Sequence, residues 1–112
     1  MINTCNWSED FIGYFTIGGD GEGDMAPLGD LTKTEVVEIG KLLNIPKRLV
    51  QKTPSDGLCG KTDEDNFGFT YDELDSYIRN GYCENKEHET LIISRHERNL
   101  FKLKPIDKFI LK

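Results

Sequence analysis

The chain has no apolar run near the ~18 residues that a bilayer-spanning helix needs. Its start, "MINTCNWSED", has neither a basic segment nor an apolar stretch, so no secretory signal is read there. Its three cysteines, Cys5, Cys59 and Cys83, form no CxxC pair and cannot all pair with one another. They read as reduced thiols in a cytoplasmic protein. His88 and His96 stand eight apart with no HExxH pattern, which argues against zinc. There is no G-x-x-x-x-G-K-[ST] phosphate loop, no internal repeat and no low-complexity tract. Buried Val/Ile-rich runs alternating with helices are also missing, so the chain cannot build a parallel sheet alone.

Excess positive charge is lacking as well. The net charge of −6 argues against general attraction to nucleic acid. Residues 95–112 carry six basic and two acidic side chains, a surplus of +4, which leaves −10 on the preceding 94. Either this basic tail lies on an acidic body or part of it reaches an anionic ligand. With 37% apolar and 30% charged residues, the composition is that of one globular unit rather than a disordered chain.

What the chain does contain is strong helix punctuation. Thr32 and Glu35 form a T-x-x-E capping box flanked by Leu31 and Val36, and Pro46 predicts a stop near Asn44. Thr70 and Glu73 repeat the box, with Asn80–Gly81 as the stop. Shorter helices are expected at 47–51 and 63–66, with a longer one at 86–99. The stretch "SEDFIGYF", residues 8–15, reads as a helix interrupted by Gly13. "MAPLG" reads as a short extended piece, and Pro27 would hold it at an edge.

Several acids invite a calcium reading. An EF-hand loop needs Gly at its sixth position and Glu at its twelfth. Counting from Asp20 these are Met25 and Leu31, and counting from Asp63 the twelfth is Leu74. Both registers fail.

The glycine-rich acidic loop of residues 18–33 ends with a lysine at a helix start, where a cation opposes the helix dipole by a few tenths of a kcal/mol. That placement makes sense if an anion joins it. Lys33 is a point charge suited to phosphate, free helix N–H groups would add donors, glycines would admit a ligand to the backbone, and Asp24 is an acceptor. A solvated acidic loop followed by a surface lysine fits the same residues. "KTPSDGLCGKTDED", residues 52–65, is rich in turn formers, and Ser55 offers a hydroxyl beside a bend.

In order, these stretches resemble the C-terminal half of ammonia-dependent NAD synthetase. "NTCNWSEDFIGYFT" resembles the family's G-T-x-N-x-S-E…G-[FY]-F-T. "GDGEGDMAPLGDLTKTEVVEIGKLLNIP" matches its acidic loop and following helix. "KTPSDGLCGKTDEDNFGFTYDELDSYI" matches K-x-P-[ST]-x-x-L…G-Q-T-D-E…[FY]-x-Y-x-x-[IL]-D, and "SRHERN" resembles S-x-H-K-R. The family amidates deamido-NAD. ATP adenylylates the nicotinic acid carboxylate, and ammonia then displaces AMP.

The resemblance implies an α/β chain, the C-terminal portion of a Rossmann-like adenine nucleotide alpha-hydrolase-type fold, mostly helical with long loops. Residues 1–112 would be a single segment without the N-terminal pyrophosphate-loop half and its SGG-x-D-S motif. Thr4, Lys33 and Ser55 fall on ATP-contacting positions, Glu9 on a magnesium ligand, and Asp24 and His96 on deamido-NAD contacts. Three positions depart from the pattern: Ile17 and Glu97 replace lysines, and Lys61 replaces the Gln of GQTDE.

Three expectations follow. The chain is a ligase segment, inactive by itself, that uses ATP, Mg2+, ammonia and deamido-NAD as a homodimer or with an N-terminal synthetase half. Alternatively it is a non-catalytic nucleotide-binding module, or an interaction module that docks on a complete synthetase.

Overall fold

Six α-helices and one 3-10 turn account for all regular structure in the computed structural model, which describes residues 1–112. They are α1 (Trp7–Ile12), α2 (Lys33–Leu42), α3 (Lys47–Val50), α4 (Asp63–Phe67), α5 (Tyr71–Asn80) and α6 (Lys86–Asn99), then the turn Leu100–Leu103. Helix α1 packs on α2, α5 and α6, while α2 also meets α3 and α5.

Local chemistry explains most boundaries. Helices α1, α4 and α5 begin with reciprocal capping boxes, Asn6/Glu9, Thr62/Asp65 and Thr70/Glu73. At α2, Glu35 accepts from the Thr32 amide at 2.8 Å, as the T-x-x-E signal predicts. Helix α5 stops at Gly81 in the left-handed conformation (φ 77°), the geometry that glycine takes without steric cost. The expected helix over 8–15 does not resume past Gly13. This residue closes α1 with φ 68°, and a Cβ there would lie 2.4 Å from Asn99 Cβ. Gly13 is thus both a helix stop and the point where α1 meets the end of α6.

The core is Ile12, Phe67, Phe69, Tyr71, Leu74 and Ile92, with Phe11, Tyr14, Tyr77 and Ile78 packed around it. Tyr71, Leu74, Asp75 and Ile78 occupy one face of α5 at i, i+3, i+4 and i+7, so this helix is the central wall. Phe67 makes edge-on contacts with Tyr14 and Tyr71, at centroid separations of 4.7 and 5.5 Å.

No sheet forms. A single parallel bridge joins Ile2 to Met25, with Asn3 N donating to Met25 O at 2.9 Å and Asp24 N to Met1 O at 2.8 Å. "MAPLG" is therefore extended only at Met25, and turns follow from residue 27. Parallel strands are normally covered on both faces, yet Ile2 and Met25 are both more than half exposed. Leu42, Leu43 and Leu49, on and beside α2 and α3, are also exposed. The radius of gyration is 15.4 Å, above the ~13 Å of a compact domain of this size. The helices pack well around α5 but leave apolar surface uncovered elsewhere.

Candidate functional site

Thr4, Glu9 and Ser55 come from three separate segments and line one cavity of about 550 Å³. Thr4 lies just before α1, Glu9 lies on it, and Ser55 belongs to the turn-rich loop before α4. Lys33 adjoins from the first turn of α2, its Nζ 4.0 Å from Glu9 Oε1. It also lines a second cavity of about 680 Å³ beside α2 and α3. Four of the six residues singled out from the sequence are thus neighbours.

The remaining two lie elsewhere. Asp24 is exposed and pairs with the amino terminus of Met1. His96, on α6, stacks on Phe11 at 3.9 Å between centroids, and its Nδ1 lies 2.7 Å from Phe11 O. Because a carbonyl only accepts, Nδ1 carries the proton, and in this conformation His96 holds α6 on α1. His88 is likewise engaged, with Nδ1 2.9 Å from both carboxylate oxygens of Glu73.

The N–H groups at the start of α2 are not free for an anion, contrary to expectation. Lys33 N donates to Ser8 Oγ at 2.9 Å and Thr34 N to Asp75 Oδ2 at 2.8 Å. Ser8 Oγ in turn donates to Asp75 Oδ1. Ser8 and Asp75 are buried, so the negative charge facing this helix end belongs to α5 of the same chain. Two glycines of the acidic loop also have a local purpose. A Cβ on Gly23 would lie 2.6 Å from Asn3 N and one on Gly21 2.3 Å from the Phe15 ring, so their close approach is to the protein itself.

Lys33 is poised through its side chain. The ammonium lies 5.5 Å from the centroid of the Tyr71 ring, a cation–π contact, and faces Glu9 across the α1–α2 junction. Burial pushes the Glu9 carboxyl above its usual range, opposed by the Asn6 N–H and by Lys33. Glu9 Oε2 accepts from Asn6 N at 3.0 Å, which leaves Oε1 facing the lysine at the cavity wall.

Sequence reasoning missed the tyrosine–carboxylate lattice beneath these groups. Asp63 is buried and accepts from Tyr71 Oη at 3.0 Å and from Tyr14 Oη at 3.2 Å. Both phenols are pushed up, chiefly by burial, Tyr14 to about 12. Asp63 and Tyr71 stand within "KTDEDNFGFTY", but a linear motif does not say which way a side chain faces.

The cavity wall is acidic. Glu9, Asp20, Asp56 and Asp63 all line it, whereas its one cation, Lys102, is bound through Nζ to Gly13 O at 2.8 Å and Phe15 O at 2.7 Å. Lys102 therefore docks on the end of α1 through backbone carbonyls. Arg95 also reaches a backbone carbonyl, Asn66 O at 2.5 Å, and residues 105–112 are exposed.

No three His, Cys, Asp or Glu side chains converge as a metal-holding group. Magnesium, however, commonly takes only one or two carboxylates and fills its remaining positions with water and phosphate oxygens. Glu9 Oε1 fits that limited role. No helix is long and apolar enough to cross a membrane.

The sequence model of the family described as NAD synthase matches residues 1–112. Among curated relatives, the NH(3)-dependent NAD(+) synthetase of Finegoldia magna is 48% identical over 81 residues, 71% of this chain and 34% of that protein. The synthetase of the same name from Syntrophomonas wolfei is 41% identical over 105 residues, covering 89% of this chain and 42% of the relative. The solved NMN synthetase of Francisella tularensis superposes with a TM-score of 0.90 at 40% identity, covering 98% of this chain and 46% of that one. The NH3-dependent NAD synthetase of Campylobacter jejuni, solved with nitrate, gives 0.66 at 26% identity, covering 97% and 44%. The chain spans less than half the length of each of these proteins. A match along every residue, together with superposition on two solved synthetases, places the chain in the NAD synthase family.

Proposed function

We propose that this chain supplies the C-terminal half of an ATP- and ammonia-dependent synthetase that amidates deamido-NAD to NAD. The carrying observation is the convergence of Thr4, Glu9 and Ser55 on one cavity with Lys33 4.0 Å from Glu9. Thr4 and Ser55 are exposed hydroxyls suited to phosphate oxygens, and Lys33 is the cation that would meet them. Asp24 and His96 are assigned to the deamido-NAD side, which requires both to exchange their present partners.

In the first step of this reading, a carboxylate oxygen of the substrate attacks the α-phosphorus of ATP and the bond to pyrophosphate breaks. In the second, ammonia attacks the acyl carbon, the bond to AMP breaks, and the nitrogen loses its extra proton. The side chains hold the two anions together and neutralise charge. An acidic wall repels a bare polyphosphate, so the nucleotide enters with a cation. A magnesium ion held by Glu9 would supply the charge that phosphate oxygens need there.

The rest of the machinery would come from a second polypeptide portion carrying the pyrophosphate loop and a Rossmann-like sheet. The half-exposed parallel bridge at Ile2 and Met25 and the open faces of Leu42, Leu43 and Leu49 support that pairing. Cys5, Cys59 and Cys83 are free thiols, in keeping with a cytoplasmic setting.

A second reading rests on the superposition with the NMN synthetase, which is the better of the two fits described. In it, the substrate is the mononucleotide acid instead of the dinucleotide. Ile17 is half exposed and Glu97 exposed, each where the resemblance expects a lysine. Both losses weaken the attraction for a second phosphate-bearing half.

The test is reconstitution with an N-terminal half from a family member, supplied with ATP, magnesium, ammonia and either acid. Amide formation supports the reading, and the ratio of kcat/KM for the two acids chooses between substrates. A folded complex with no turnover on either overturns it. Calorimetry on the chain alone tests Lys33. Lys33→Ala should weaken ATP–magnesium binding about tenfold, or ~1.4 kcal/mol. Unchanged binding removes Lys33 from the site.

A further inference from the structure

Glu9 and Lys33 sit on different helices, and neither α1 nor α2 sets their separation by itself. The link is a buried relay. Asp75, on α5, accepts from Thr34 N at 2.8 Å and from Ser8 Oγ, and Ser8 Oγ accepts from Lys33 N at 2.9 Å. Ser8 immediately precedes Glu9 in the sequence. Asp75 therefore touches the residue after Lys33 and the residue before Glu9, joining the first turns of α1 and α2 at one carboxylate. Ser8 is fully buried and Asp75 is 5% exposed, so water does not compete for these bonds.

We infer that Asp75, acting through Ser8, is a positioning residue that holds the Lys33 ammonium against Glu9 for nucleotide binding. This rests on the reading of Lys33 as an ATP contact. Chemistry favours a carboxylate over an amide at this point. Asp75 accepts two hydrogen bonds at once and places a full negative charge at the amino end of α2. An asparagine keeps the shape and one acceptor, but its amide nitrogen must face either Thr34 N–H or the Ser8 hydroxyl. The charge is lost, and one of the two ties is broken or reversed. The same carboxylate offsets the unfavourable placement of a lysine at a helix start.

The experiment uses Asp75→Asn and Ser8→Ala in the full chain, with two readouts. The first is the NMR resonance of the Lys33 ε-methylene, whose ammonium sits over the Tyr71 ring. Ring current marks that position. In each variant it should move to the shift of a solvated lysine while the core resonances of Leu74 and Ile92 stay in place. The second is ATP–magnesium affinity, expected to fall about fivefold, with the double variant no worse than either single one because both break the same relay.

A Lys33 resonance unmoved in folded Asp75→Asn and Ser8→Ala overturns the inference, as do additive losses of affinity. Loss of core resonances in both variants also overturns it, because the relay is then merely structural. If the unsubstituted chain binds no ATP, the assignment of Lys33 to ATP falls, while the resonance still decides whether Asp75 positions it.

Discussion

Asp63 joins the fold to the wall of the candidate site, and its removal has a calculable cost. In Asp63→Ala, the Tyr71 hydroxyl loses its 3.0 Å acceptor inside the core, where Tyr71 is 4% exposed. A buried donor left unpaired costs about 1–3 kcal/mol. Tyr14 loses a 3.2 Å bond but is partly exposed and can turn toward Asp56, already 3.5 Å away, so its share is under about 1 kcal/mol. The expected total is roughly 1–4 kcal/mol. Tyr71→Phe removes the donor together with its need and should cost only ~1–2 kcal/mol. In the double variant the two effects should overlap by at least ~1 kcal/mol, because one contact is removed twice.

Urea unfolding followed by fluorescence of the single tryptophan is a suitable assay. Trp7 lies in α1 under Arg79, 4.6 Å from ring centroid to Cζ, and reports on the helix that carries Glu9. Destabilisation by Asp63→Ala below about 0.5 kcal/mol, or full additivity with Tyr71→Phe, would refute the claim that this lattice supports the core.

Two other outcomes follow from named groups. Glu35 is held at about 2 by hydrogen bonds from Arg79 and the Thr32 amide, below its ordinary 4.5. Its stabilising contribution is complete above pH 4.5 and disappears as the pH falls toward 2. Arg79→Ala should therefore lessen the loss of stability across that window, and an identical acid profile would refute the role of the pair. Cys5 is pushed up to about 11 from 9.0, by burial first and then by Glu9, Asp10 and Asp20. At pH 8 its thiolate fraction is about a hundredfold below that of an ordinary thiol. Disulfide-exchange labelling should modify exposed Cys59 first and Cys5 far more slowly; comparable rates would contradict this burial.

Helix identity was legible from short-range chemistry. T-x-x-E at Thr32 and Thr70, and the glycine at 81, act within one turn of the chain, so their effect does not depend on distant packing. The break at Gly13 in the helix over 8–15 was legible, but not that the helix ends there, which is tertiary: Gly13 turns left-handed where Asn99 leaves no room for a Cβ. The partner of Met25 was invisible for the same reason, since Ile2 lies more than twenty residues away.

At the site, sequence motifs named Thr4, Glu9, Lys33 and Ser55, but adjacency came only from folding. The sequence did not show what already occupies the start of α2. Free N–H groups were expected there, whereas the fold brings Asp75 and Ser8 to the amides of Thr34 and Lys33 from 41 and 25 residues away. Capping, turn chemistry and net charge are properties of neighbours along the chain and can be read from letters. A buried carboxylate that accepts from the start of α2 and from a serine of α1 at once is a property of three helices packed together, and only their tertiary arrangement creates it.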